Sequence, residues 1–353
     1  MSAASMDAAS IEDGTPIYDL LVVGAGPTGI AIGAEARRAG LSCILLDRRG
    51  ICGALHGFPH DMVFFTTRDK LEIAEMPFSI PEDKPSRRQA ISYYQGVARR
   101  YRLEVAGGEE VVAALKRPDG IFAVDSRRAA DRPCAGRETR RLARAVALAQ
   151  GFFDRPRRLG VPGEEQPWVS GRYFGPWSHY EQHVLVVGAG NTAAETALDL
   201  WRHGARVSLV HRGQAIKSTV KYWLAPDLGN RIAESSIAAH FGSRVTSFEA
   251  DGTVRLATPA GESALGVDAA YVLIGYDPEP EIARAAGVVF TEGELIPSFD
   301  PQTCESNVPG LYVAGTLQAG RYTNRLFIEN TRDHGEKVVR HLQQIHLQKQ
   351  LPV

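Results

Sequence analysis

The segment IYDLLVVGAGPTG, Ile17 to Gly29, decides the fold. Ile17–Val23 is a short apolar run with the make-up of a buried strand. Gly24, Gly26 and Gly29 follow as a GxGxxG turn, and Pro27 to Ala39 has the spacing of an amphipathic helix. A second strand, Cys43 to Leu46, closes on Asp47. Strand, helix and strand in this order make a βαβ unit and favour a parallel sheet with a right-handed crossover. In such a turn the first glycine makes the bend, the second lets backbone approach a pyrophosphate, and the third packs helix on strand. The anion sits on the helix N-terminus beside Pro27 and Thr28, where free N–H groups and the macrodipole favour it. Asp47, with Arg48 next to it, stands about 20 residues on, where a carboxylate accepts from ribose hydroxyls.

The pattern recurs far downstream. His183–Val187 is a strand, Gly188-Ala189-Gly190-Asn191-Thr192-Ala193 is the turn with alanine in third place, Asn191 to His203 is helical, and Val207–Val210 is a strand. Here the second strand ends in His211 and Arg212, so basic groups replace the carboxylate. A carboxylate there would repel a 2′-phosphate, whereas a guanidinium holds it through charge-assisted bonds. The sequence therefore predicts NADPH in this unit, with Arg212 and Lys217 on the phosphate, and FAD in the unit that ends in Asp47. The spacing between the copies calls for two nucleotide-binding domains.

Composition agrees with this. The 353 residues hold 40 basic and 41 acidic side chains, a balance that argues against a nucleic-acid coat or a polybasic membrane binder. No run approaches the ~20 apolar residues of a membrane span. The first 14 residues are small, polar and acidic, without the pattern of a signal peptide, and read as a disordered tail on a cytoplasmic protein. Cys43, Cys52, Cys134 and Cys304 form no CxxC and are too scattered for a disulfide framework or a metal site. The 35 glycines exceed an average share, which fits a chain that brings backbone close to nucleotides.

Between the copies, Ser86 and Gln89 form a capping box ahead of a basic helix, and Ile121–Ser126 and Ala143–Ala149 read as strands. The ten arginines of 127–158 read as a solvated loop and strand edge. After the second copy, Thr253–Pro259 and Ser263–Ile274 form a hairpin that ends in a buried strand at Gly275. Gly310–Gly315 is a further strand, whose glycine stop brings backbone to the flavin, and Leu326 to about Gln348 is one closing helix. These last elements are expected to return to the first domain. The expected organisation is an FAD-binding domain of residues 15–165 and 300–345, with an NADPH-binding domain of 166–299 inserted in it.

With these motifs in order, the chain resembles thioredoxin-reductase-like flavoproteins, and within them the bacillithiol disulfide reductase family, which lacks the dithiol. The resemblance rests on Phe64-Phe65-Thr66-Thr67 through Ile73, Val161-Pro162-Gly163-Glu164, Gly188–Asn191, and Phe327-Ile328-Glu329-Asn330. It implies an α/β fold of two Rossmann-like three-layer domains, a homodimer, contact of Gly315 and Ile328 with the flavin, and a low-molecular-weight disulfide as acceptor. Such family members are thought to use a cysteine within the first glycine loop, where this chain has Thr28. Cys52, near Arg48, Arg49 and a helix dipole, is the candidate replacement, with its thiol pKa expected to be lowered. Electron delivery to ferredoxin or flavodoxin, flavin monooxygenation and a non-catalytic flavin-binding role stand as alternatives.

Overall fold

The structure is a computed structural model that describes residues 15–350; the expected tail of residues 1–14 lies outside the described residues. The first sheet is built on β1 (Ile17–Val23), which is followed by helix α1 (Pro27–Arg38) and β2 (Cys43–Asp47). β1 and β2 run parallel, Leu20 beside Cys43 and Val23 beside Leu46. Both faces of β1 are covered, so Leu20, Leu21 and Val22 are fully buried and its sequence is continuously apolar. Short helix α2 (Arg68–Leu71) leads to α3 (Arg87–Arg100), which begins in the capping box of Ser86 and Gln89. Buried Tyr93 and Tyr94 reach from α3 and donate to the carbonyls of Met76 and Leu71, pinning the 64–76 segment on the core.

Strands β3 (Glu104–Gly107), β4 (Glu109–Lys116), β5 (Phe122–Arg128) and β6 (Glu138–Leu148) complete the order β3-β2-β1-β6-β5-β4. The arginine-rich 127–158 stretch is thus more than a loop and an edge. β6 lies inside the sheet, and its Arg140 and Arg141 pair across strands with Asp125 and Glu109.

The chain leaves through β7 (Arg155–Pro156) and β8 (Val169–Ser170) into a second sheet with β9 (His183–Val187), α4 (Asn191–Arg202), β10 (Arg206–His211), α5 (Ala225–Ala233) and β11 (Ile237–Phe241). An antiparallel layer of β12 (Arg244–Phe248), β13 (Thr253–Thr258) and β14 (Gly261–Gly266) covers one face, and β15 (Ala269–Val272) returns to the sheet, whose order is β11-β10-β9-β15-β8. The returning strand β16 (Tyr276–Asp277) pairs antiparallel with β7, so the outgoing and incoming chains cross side by side. Helix α6 (Glu281–Ala285) then packs Ala283 into the first sheet's core. The chain is therefore back in the first unit before residue 300, the boundary expected from the sequence.

β17 (Leu311–Val313) joins β6 in parallel, on the edge that β5 leaves free beyond Ala143. The closing helix is broken into α7 (Ile328–Thr331) and α8 (His334–Gln350), where the sequence suggests one helix. Thr331 Oγ1 donates back to the carbonyls of Phe327 and Ile328, a local bond that competes with the helical ladder at this point. α8 crosses α1 at Gly335, where a Cβ would stand 2.7 Å from the Ala31 carbonyl carbon.

Candidate active site

Both glycine turns begin with a glycine at positive φ packed against neighbouring backbone. Gly24 has φ +104°, and a Cβ there would lie 2.6 Å from the Ala149 carbonyl oxygen. Gly29 is tighter, with its Cβ position 2.0 Å from the Gly24 oxygen. In the second turn Gly188 has φ +138° and its Cβ would meet the Leu273 oxygen at 2.4 Å. By contrast, a Cβ on Gly26 or Gly190 meets nothing within 4 Å. The outer glycines are thus fixed by the protein's own backbone, whereas the middle ones face open space in which another molecule can approach.

Asp47 organises the first turn. Its Oδ1 accepts from the Arg49 and Gly50 N–H groups at 2.8 Å each, and its Oδ2 accepts from Ala25 at 2.9 Å. Arg48, expected to bind cofactor, engages Asp154, Glu279 and Glu110. Gln150 Oε1 is buried without a hydrogen-bond partner beside this turn, an orphan polar atom that a bound group would satisfy.

In the second unit, Asn191 Oδ1 accepts from the Lys221 N–H at 2.9 Å, and the Lys217 N–H donates to the Ala189 carbonyl. The 217–221 loop is thereby tied to the glycine turn. His211, Arg212, Lys217 and Thr192 line the cavity beside it, and so do Ser243 and Arg244. The last two are not legible in the sequence, since contacts distant in the chain place them there. Their turn is stitched to the β10 end by Gly242 and Ser243 N–H groups donating to Gly213 and His211. Burial, then the charges of Lys217 and Arg212, lower the His211 pKa.

The two turns open into one cavity of about 1340 Å³, larger than a single small-molecule site needs and suited to two dinucleotides. The sequence pattern of the pyridine nucleotide-disulphide oxidoreductase family matches residues 21–315. The chain belongs to that family. It is an NAD(P)H-dependent flavin oxidoreductase with the α/β fold of thioredoxin-reductase-like flavoproteins, and the family implies FAD and NAD(P)H. It is 27% identical to the bacilliredoxin reductase Bdr of Bacillus subtilis, over 89% of this chain and 94% of the relative. The bacillithiol disulfide reductase of Bacillus cereus superposes with a TM-score of 0.89 at 27% identity, covering 94% of this chain and all of the other. A ferredoxin–NADP reductase of Ignicoccus hospitalis is 24% identical over 85% of this chain and 90% of its own length. No helix among the described residues is long and apolar enough to cross a membrane.

Within this family the position of Thr28 carries most of the interest. Its Oγ1 lies 3.0 Å from Thr331 Oγ1, and a Cβ on Gly315, whose φ is +72°, would lie 3.1 Å from it. Gly315 donates its N–H to His334 Nδ1 at 3.0 Å, and Ile328 lines the same end of the cavity. The loop after β1, the end of β17 and the α7–α8 break therefore meet at one place. Cys52 does not behave as the sequence suggested. It is fully buried, and burial followed by the Asp47 charge raises its thiol pKa well above the ordinary value. The expected lowering fails because Arg48 and Arg49 turn to Asp154. Cys43 and Cys304 are buried too, pushed up to about 12 and about 11 chiefly by burial. Cys134 is exposed in the arginine-rich turn and lines no part of the cavity.

His334 gives a pH prediction. Burial, helped by Lys337 and opposed by Asp333, pulls its imidazole down to about 4. The folded chain thus holds His334 neutral, as its acceptor role requires, while the unfolded chain protonates below about 6.5. Because the unfolded state binds the proton first, stability falls as pH drops from 6.5 towards 4, by up to about 3 kcal/mol. Urea midpoints of wild type and His334→Asn across that window check this; equal acid losses in both would remove His334 as the cause.

Proposed function

We propose that this chain passes electrons from NADPH through a resident FAD to an external acceptor, and that the acceptor is a low-molecular-weight disulfide. The observation that carries the two-cofactor reading is the pair of glycine turns whose middle glycines, Gly26 and Gly190, face one shared cavity. FAD, when bound, supplies the chemistry that takes a hydride from a nicotinamide and returns two electrons to an acceptor. The chain's own residues do the rest. Gly26, Pro27 and the α1 N-terminus receive one pyrophosphate, and Gly190, Asn191, Thr192 and the α4 N-terminus the other. Arg212, Lys217 and Arg244 present positive charge for a 2′-phosphate, which favours NADPH.

Likeness to disulfide reductases at 27% identity supports the disulfide acceptor. A second reading, direct electron delivery to a small redox protein, is favoured by Thr28 and by the buried state of Cys52. In either case Cys52 is a packing residue. Bleaching of the bound flavin by NADPH without oxygen tests the donor half, and a panel of disulfides and redox proteins tests the acceptor half. Cys52→Ser should keep acceptor turnover within about twofold of wild type, since a thiol held protonated supplies little thiolate. A loss of two orders of magnitude with flavin content intact would restore it to the mechanism.

A further inference from the structure

The loop that follows β10 links the two units through one cation. Lys221 Nζ stands 5.0 Å from the ring centre of Phe65, 5.4 Å from that of Phe327 and 5.8 Å from that of Trp223. Phe65 and Phe327 belong to the first unit and meet edge to face at 5.5 Å. Trp223 belongs to the same loop as Lys221, and Lys84 Nζ of the first unit stands 5.5 Å from the centre of its ring. Among the described residues Lys221 has no carboxylate partner, so the three ring faces are its counter-charge.

What makes this contact informative is where its two ends are anchored. The Lys221 N–H is held by Asn191, the first residue of α4 and part of the Gly188–Asn191 turn. Phe327 is the residue from which α7 starts, and Phe65 follows Phe64, whose N–H donates to Pro85. Phe65 and Phe327 also line the shared cavity. One residue thus connects, through its backbone, the turn that receives one nucleotide and, through its ammonium, the rings beside the helix at the other.

We propose that Lys221 is a positioning residue: its seat over the paired rings of Phe65 and Phe327 draws the second unit onto the first and sets the distance across which hydride passes. The inference rests on the two-cofactor reading above and adds to it the part that fixes the gap. Lys221 does not itself line the cavity, so as proposed it acts on the approach of the two units and not on the affinity of either ligand.

The test uses the full-length, flavin-loaded protein. Hydrogen exchange is read at the amides of 62–66 and 217–224 without nucleotide, and rapid mixing with NADPH separates the dissociation constant from the limiting rate of flavin bleaching. Lys221→Ala should speed exchange in both segments and cut the limiting rate about tenfold, with the NADPH dissociation constant unchanged within twofold. Lys221→Arg, which keeps a cation for the rings, should restore both. Exchange in Lys221→Ala equal to wild type, or a rate loss that appears wholly in the dissociation constant, overturns the proposal. So does failure of arginine to rescue. If NADPH bleaches neither wild type nor variant, the two-cofactor reading falls, while the exchange comparison still decides whether Lys221 joins the units.

Discussion

Gly26→Ala is expected to give a folded protein that no longer holds flavin, whereas Gly29→Ala is expected to give one whose first unit is itself disrupted. At Gly26 the backbone is extended, with φ −75°, and an added methyl meets nothing within 4 Å. Nothing in the polypeptide opposes the change, so thermal stability of the flavin-free chain should stay within about 0.5 kcal/mol of wild type. With the pyrophosphate at Gly26 as proposed, the methyl takes its space, and flavin affinity should fall at least about 100-fold, in line with loss of close backbone approach. At Gly29 the methyl would sit 2.0 Å from the Gly24 oxygen, far inside contact distance, and that oxygen belongs to a backbone held in place by its own bend. Alanine in a helix interior gains up to about 1 kcal/mol over glycine by propensity. An overlap of this depth costs more, roughly 1–3 kcal/mol or above, because backbone and not a flexible side chain must move. Alanine stands at the equivalent Ala193 of the second turn, fully buried, so the two turns differ in how closely helix meets loop. Flavin absorbance per chain and thermal unfolding of apo and loaded protein separate the outcomes. Normal flavin retention by Gly26→Ala would mean that the pyrophosphate lies elsewhere.

The second large effect is on nucleotide choice. Arg212→Ala should lower the ratio of NADPH to NADH efficiency by about 10- to 100-fold, since a charge-assisted bond contributes roughly 1.5–3 kcal/mol. Arg244 lies on the neighbouring turn, stitched to the β10 end through Gly242 and Ser243. Removing both guanidiniums should therefore reduce the ratio further, to roughly 1000-fold below wild type. The loss should appear in KM for NADPH and leave kcat and the NADH values near their original level, because the phosphate is remote from the reacting carbon. Raising ionic strength should weaken NADPH binding by wild type more than by the double variant. An unchanged ratio in Arg212→Ala would assign the 2′-position to other groups.

Much of this geometry is legible in the residues. Gly24 to Asp47 and Gly188 to Arg212 announce strand, turn, helix and strand because each step has its own local requirement, and those requirements are met within some 25 residues. What is not legible depends on partners distant in sequence. Glu109–Lys116, EEVVAALK, has no period-2 alternation, and only pairing with β5 makes it a strand. Arg244 is hidden in the sequence for the same reason, since β12 forms against β13 and its place at the β10 end comes from the turn that precedes it. The break between α7 and α8 contains neither proline nor glycine at Arg332–Asp333; beside it the Thr331 hydroxyl bonds back to the carbonyls of Phe327 and Ile328. Cys52 looked activated because Arg48 and Arg49 are its near neighbours in sequence, yet Asp154, a hundred residues further along the chain by order of magnitude, takes them away.

The cradle proposed for the flavin is drawn from both extremes of the polypeptide: Thr28 and Asp47 near its start, Gly315, Thr331 and His334 near its finish, with β17 laid against β6 and α8 against α1. During synthesis the first half of this cradle leaves the ribosome long before the second exists, and the whole inserted unit is made in between. The strands of that inserted unit, β8 to β15, pair only with one another within one contiguous stretch, so its sheets can close while the rest of the chain is still being made. With the flavin bound at the proposed cradle, its capture is expected only once α8 has docked on α1, and it would then tie the two ends of the chain together.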